Sequence, residues 1–269
     1  MSNLNPLRFV TFLAPNVLPV YQFIARTVGE KLGLPTELVV GDSHDMFDAL
    51  QPDVAFICGL PYVLMIDQPR SIPIELLAAP VLQGKRFGGK PIYFSDVIVK
   101  QDAAYSSFAD LRGRSWAYNE MVSQSGYGVT RHRLLTMGET NGFFSEVIHA
   151  GWHQKAIQMV IRGEIDATAI DCQVLAVEMR DHPELAQQIK IIDALGPSTI
   201  QPVVARASLP ETLKQDIRAV LLAIGDDPTG REILSRGFFD RFIAVTDPDY
   251  DDIRAMVRAA EAADFLTIR

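Results

Sequence analysis

The chain has 269 residues, 48% of them hydrophobic and 22% charged, with 25 basic and 33 acidic side chains and a formal net charge of −8. These are ordinary globular values, and they exclude a disordered, collagenous or disulfide-framework chain. The acidic balance argues against nucleic acid or an anionic membrane surface as the main partner, but not against a small anion in a pocket governed by nearby dipoles.

The length fits one large domain or two lobes of about 100–150 residues each. Met1 to Pro6 carries neither a basic n-region nor an apolar h-region. The longest uncharged apolar stretch, Val54 to Ile66, contains Gly59 and Pro61 and falls short of the ~18–20 residues of a membrane span. Two compartments fit this: the cytoplasm, or the periplasm after removal of a secretion signal. Leu7 to Leu13 reads as a buried strand, followed by a loop at Ala14-Pro15-Asn16. Leu18 to Leu32 has apolar residues at helical spacing, with Gly33 as its stop. Glu37 to Val40 is a second strand, and Ser43 or Asp45 caps a short helix to Leu50. Val54 to Cys58 is a third, ending in Gly59-Leu60-Pro61-Tyr62. Strand–helix alternation at this pace predicts a parallel, doubly wound sheet.

Leu76 to Leu82 and Ile92 to Val99 are strand-like, joined by a turn with Gly84, Gly88 and Gly89. A second alternating series follows: Phe108 to Leu111 as a short helix, Ser115 to Tyr118 as a strand and Gly126 to Met137 as a helix. Val147-Ile148 then reads as a strand, His153 to Ile161 as a helix and Ala167 to Ile170 as a strand. Ile189 to Ala194 and Pro202 to Ala205 look like return strands. The end is helical: Pro210 opens Leu213 to Ile224, Asp227-Pro228 opens a helix through Leu234, and Tyr250 to Phe265 closes the chain. The expectation is an α/β chain of two lobes, residues 1–97 with 203–269 and residues 98–202. A ligand cleft would lie between them, as is common for α/β folds.

The segment Ser123-Gln124-Ser125-Gly126-Tyr127 places two hydroxyls, an amide and a close-approach glycine at a helix start. Unpaired N–H groups and the positive dipole end suit such a start to an anion, although a serine there also serves as a plain N-cap. His153 lies at the next helix start, where imidazole can donate and accept. Asp171 ends a strand, as a cleft carboxylate or as the cap of the helix that follows. Tyr62 and Tyr93 sit by strand ends, each joining a ring to a hydroxyl donor. Lys85, Arg86 and Lys90 form a basic cluster in a Gly-rich turn, most simply a solvated loop. Cys58 and Cys172 read as free buried thiols. No GxxxxGK[ST], GxGxxG, GxSxG or HExxH motif is present, so neither a cofactor nor a metal is implied.

In this order the segments resemble the phosphate/phosphonate-binding family of ABC-transporter solute receptors, the PhnD-like proteins. The matching text is Gly59-Leu60-Pro61-Tyr62, Tyr93 to Val99, Phe108 to Ala117, Ser123 to Tyr127, His153 to Ile157, Gly163 to Ala167 and Ile170-Asp171, then Asp227 to Gly230 and Asp249-Tyr250-Asp251. The resemblance implies a type II periplasmic-binding-protein fold that closes on its ligand without catalysis. It implies that Ser123, Gln124, Ser125, Gly126 and Tyr127 hold a small oxyanion with help from Tyr93 and His153, and that Tyr62 and Asp171 line the cleft. An ABC permease is the implied partner. Members that bind aminoalkyl phosphonates place an acid near the return strand, where this chain has neutral Gln201. Two alternatives stand beside the receptor: a signal-less cytoplasmic enzyme of cofactor biosynthesis on the same fold, and a soluble ligand sensor.

Overall fold

The computed structural model describes residues 5–68 and 71–268. The leader reading rests mainly on residues 1–4, outside this range. In chain order the elements are β1 (Leu7–Thr11), α1 (Leu18–Leu32), β2 (Thr36–Val40), α2 (Phe47–Leu50), β3 (Val54–Phe56), α3 (Gly59–Asp67), β4 (Ile74–Leu82) and β5 (Ile92–Lys100). There follow β6 (Ser115–Tyr118), α4 (Val129–Thr136), β7 (Glu146–His149), α5 (His153–Arg162), β8 (Ala167–Asp171), α6 (Cys172–Asp181) and β9 (Ile189–Thr199). The chain ends with β10 (Val203–Arg206), α7 (Glu211–Ala223), α8 (Pro228–Arg236), β11 (Phe239–Ile243) and α9 (Asp251–Ala262).

The chain forms two compact units, each discontinuous. The first takes the described residues of Met1–Ile92 with Thr199–Tyr250, the second those of Tyr93–Ser198 with Asp251–Arg269. In the first, the strand order is β11-β4-β10-β3-β1-β2. β1 pairs in parallel with β2 and β3, as strand–helix alternation dictates. The returning β10 then inserts antiparallel between β3 and β4, and β11 adds antiparallel to β4. The purely parallel sheet expected from the first half is thus a mixed one. α1 has the bounds read from the sequence and stops at Gly33, whose φ of 66° is one that a side chain would strain.

Two elements of this unit depart from the sequence reading. Gly59-Leu60-Pro61-Tyr62 is the first turn of α3, not the tail of a strand. Proline is tolerated there because a first-turn N–H has no acceptor inside the helix. β11 goes unnoticed in the sequence because a bulge shifts its register between Phe239 and Arg241. Its buried residues, Phe239 and Phe242, are therefore three apart, which masks the strand period of two.

In the second unit the order is β7-β6-β8-β5-β9. β6 runs parallel to β7 and β8, and β5 runs antiparallel to β8. β9 extends to Thr199, past Ala194, and carries Pro197 on the edge position where a missing N–H is tolerated. The core holds Trp116 stacked on Phe144 at 4.8 Å, with Phe108, Phe143, Val97 and Leu134. Phe265 and Ile268 belong to the same core. The sequence reading put 203–269 wholly in the first lobe, whereas the described residues of Asp251–Arg269 fall in the second unit. The last helix and tail belong to the second unit, because their apolar residues complete its core.

Candidate ligand-binding site

Topology assembles the site at one edge of the second sheet. β6, β7 and β8 are mutually parallel, so their C-terminal ends share one edge. β6 leads to the Ser123–Gly128 segment, β7 to α5 beginning at His153, and β8 ends at Asp171 and opens α6. β5 runs the other way, pairing Ser95 with Asp171, so its beginning, Tyr93, falls at the same edge. The C-terminal edge of parallel strands is where open α/β sheets bind ligands.

The turn at Gln124–Gly128 is wound more widely than an α-helix: Gly128 N–H reaches the Ser123 carbonyl five residues back at 2.9 Å. Such π-turns occur frequently at functional sites. Ser123 caps it, its Oγ accepting from Gly126 N–H at 3.1 Å. Gly126 is required by space, since a Cβ there would fall 1.9 Å from Asn119 Oδ1. The helix predicted from Gly126 therefore becomes a π-turn followed by a shorter α4. The amides of Gln124 and Ser125 precede the first bonded turn, where helix N–H groups point outward.

Ser123, Gln124, Ser125 and His153 are 6% exposed or less. Ser125 Oγ lies 3.3 Å from Ser123 Oγ and 3.0 Å from His153 Nε2, so two helix starts meet through one hydroxyl. Burial alone holds the His153 imidazole down to a pKa of about 4, which keeps it neutral at neutral pH. Among the described residues its buried Nδ1 has no hydrogen-bond partner. Neutral imidazole donating from Nε2 to Ser125 Oγ leaves the Ser125 O–H to donate elsewhere.

The other candidates fall in different places. Asp171 is buried and caps α6, its Oδ1 accepting from Gln173 N–H at 2.8 Å, and its strand packs beside the π-turn. Tyr93 is buried on β5. Gln124 donates its amide hydrogens to Ser198 Oγ at 3.0 Å and Met256 Sδ at 3.1 Å. Tyr127 directs its side chain elsewhere. Its ring lies in the core, and its hydroxyl accepts from Ile268 N–H at 3.0 Å, so the side chain holds the chain terminus. Tyr62 is in the first unit, on α3 rather than at a strand end, and its hydroxyl donates to Asp247 Oδ1 at 2.8 Å. Sequence reasoning missed Asn119, Ser198, Met256 and Asp247, all fixed by side-chain direction and without a local pattern. Lys85 and Arg86 are exposed in the turn before β5. Cys58 and Cys172 are buried thiols, and Cys172 Sγ accepts from Phe94 N–H at 3.5 Å.

A family model described as the phosphonate-binding, periplasmic substrate-binding proteins of ABC transporters matches residues 10–250. The chain belongs to this family. Family members are solute-binding components of a phosphonate transporter rather than enzymes, and the biosynthetic-enzyme alternative is set aside. The family implies an extracytoplasmic place of work.

Solved structures agree on the fold. A binding-protein component of an ABC phosphonate transporter from Pseudomonas aeruginosa is 17% identical, with a TM-score of 0.83 over 96% of this chain and 88% of that one. PhnD1 from Prochlorococcus marinus, solved with methylphosphonate, is 17% identical, with a TM-score of 0.79 over 95% and 98%. The glutamate-bound GluR0 ligand-binding core from Nostoc punctiforme gives 13% identity and a TM-score of 0.60 over 87% and 99%. The architecture is therefore that of the type II periplasmic binding proteins. Among the described residues, no helix is long and apolar enough to cross a membrane. Nor does any group of three or more His, Cys, Asp or Glu among them stand where it could hold a metal ion.

Proposed function

We propose that this family member is the receptor for a small phosphorus oxyanion, namely phosphate, phosphite or a simple phosphonate. The observation that carries this reading is the junction of Ser125 with His153 at the shared ends of three parallel strands. The anion is held by the Gln124 and Ser125 amides and the hydroxyls of Ser123 and Ser125, with His153 orienting the Ser125 hydroxyl towards it and Tyr93 as a further donor at the same edge. Dipoles and neutral donors supply the positive end, and no cationic side chain is needed among these groups. The methylphosphonate in the Prochlorococcus relative supports the same ligand class.

Asp171 is the acceptor for a P–OH proton. A sulfate dianion lacks that proton at neutral pH and would leave a carboxylate facing a bare anion, so phosphorus acids are preferred. Ligand binding draws the two units to a closed state, a population shift driven by the tighter binding of that state, which the ABC permease then reads. Thermal unfolding with a panel of oxyanions tests this. At 100 times its Kd a ligand adds about 2.7 kcal/mol. Stabilisation by a phosphorus oxyanion is the expected result, and no response to any of them overturns the reading.

A further inference from the structure

Gln124 lies inside the π-turn, and its side-chain amide bonds to Ser198 and Met256. A carboxamide nitrogen has two N–H donors. In Gln124 one meets Ser198 Oγ at 3.0 Å and the other Met256 Sδ at 3.1 Å, and the residue is 1% exposed. Both acceptors occupy special places in the chain. The backbone leaves the second unit after Ser198 and re-enters it after Tyr250. Ser198 is thus the last residue before one crossing, and Met256 lies on α9, the helix that begins at the other. One side chain in the turn is bonded to the segments that lead to two of the three crossings. A groove of about 330 Å³, lined by Val129, His132, Gly196, Pro197 and Met256 among others, leaves space beside these segments.

We propose that Gln124 is a positioning residue that couples occupancy of the turn to the state of the two crossing segments. This rests on the oxyanion reading above. The Gln124 carbonyl accepts from Val129 N–H, so backbone and side chain of one residue join the turn to α4, β9 and α9. An anion drawing on the turn amides shifts this residue, and its two side-chain bonds carry the shift to Ser198 and Met256. The coupling equals the difference in strength of these bonds between the free and occupied states.

The test uses the full chain, with methylphosphonate and inorganic phosphate titrated calorimetrically. A fluorophore pair, one on each unit, reports the anion-dependent change of distance. Gln124→Met keeps the size and removes both donors; Ser198→Ala and Met256→Leu remove one acceptor each. The expected result is an affinity about tenfold weaker for Gln124→Met, a smaller distance change, and a free protein that still folds, with a melting temperature lowered by the two lost buried bonds. Ser198→Thr, which keeps the hydroxyl, restores wild-type behaviour. Adding Ser198→Ala to Gln124→Met causes little further loss. If Gln124→Met does not fold, the two acceptor variants decide. Wild-type binding with unaltered affinity and distance change in the variants overturns the coupling alone. A wild-type chain that takes neither anion overturns the oxyanion reading with it.

Discussion

Ser125 and His153 approach from the starts of two different helices, and their 3.0 Å contact is the centre of the proposed site. Ser125→Ala removes a donor to a buried anion, so affinity for a phosphorus oxyanion should fall by ~1–3 kcal/mol; unchanged affinity by calorimetry removes Ser125 from the site. His153 gives a pH signature. Its pKa is about 4 in the folded chain against an ordinary 6.5. Between these values the unfolded chain takes up a proton that the folded chain refuses, so stability falls as pH drops from 6.5 towards 4, by roughly 3 kcal/mol in full. Denaturant unfolding across this range should therefore show a steeper loss for the wild type than for His153→Gln. Parallel curves would show that the imidazole is not desolvated. At this scale the sequence was legible where chemistry and position coincide: hydroxyls, a glycine and a histidine at helix starts. It was silent on direction. Nothing local says that the Gln124 amide turns to Ser198 and Met256, or that the Tyr127 hydroxyl turns to Ile268.

The π-turn is the element on which the proposed site depends, and Gly126 is its tightest point. Gly126→Ala would drive a methyl into the Asn119 carboxamide. The cost of such overpacking is ~1–3 kcal/mol, and the displaced turn should lose ligand affinity as well; a variant with wild-type stability and affinity would show that the turn has slack. The tail after α9 is a second element with a clear role. Phe265 is 1% exposed in the second core, so Phe265→Ala should destabilise the chain by ~3–5 kcal/mol, read by denaturant unfolding. A change below 1 kcal/mol would place the tail outside the core. Most elements were legible because apolar periodicity, capping residues and glycine stops agree, as in α1 with Gly33. The exceptions have physical causes. Pro61 looks like a breaker but stands where a helix tolerates it. The bulge in β11 spoils its alternation. The amphipathic α9 carries no local mark of which sheet it covers.

For the whole molecule, the first half of the sequence announces an α/β fold, but the pattern of crossings is a long-range property. β10 returns to lie between β3 and β4, more than 120 residues away in the chain, and the chain end joins the second unit. The net charge of −8 does not oppose an anionic ligand, because the donors at the start of the π-turn act over a few ångströms while exposed charge is screened over about 8–10 Å. The most direct measurement is calorimetric titration of the purified chain with methylphosphonate, phosphite, phosphate and sulfate at neutral pH. Saturable one-site binding of at least one phosphorus oxyanion, lost or weakened in Ser125→Ala and much weaker for sulfate, is the predicted result. Binding of none of the three phosphorus compounds, or equal binding of sulfate, would contradict the account.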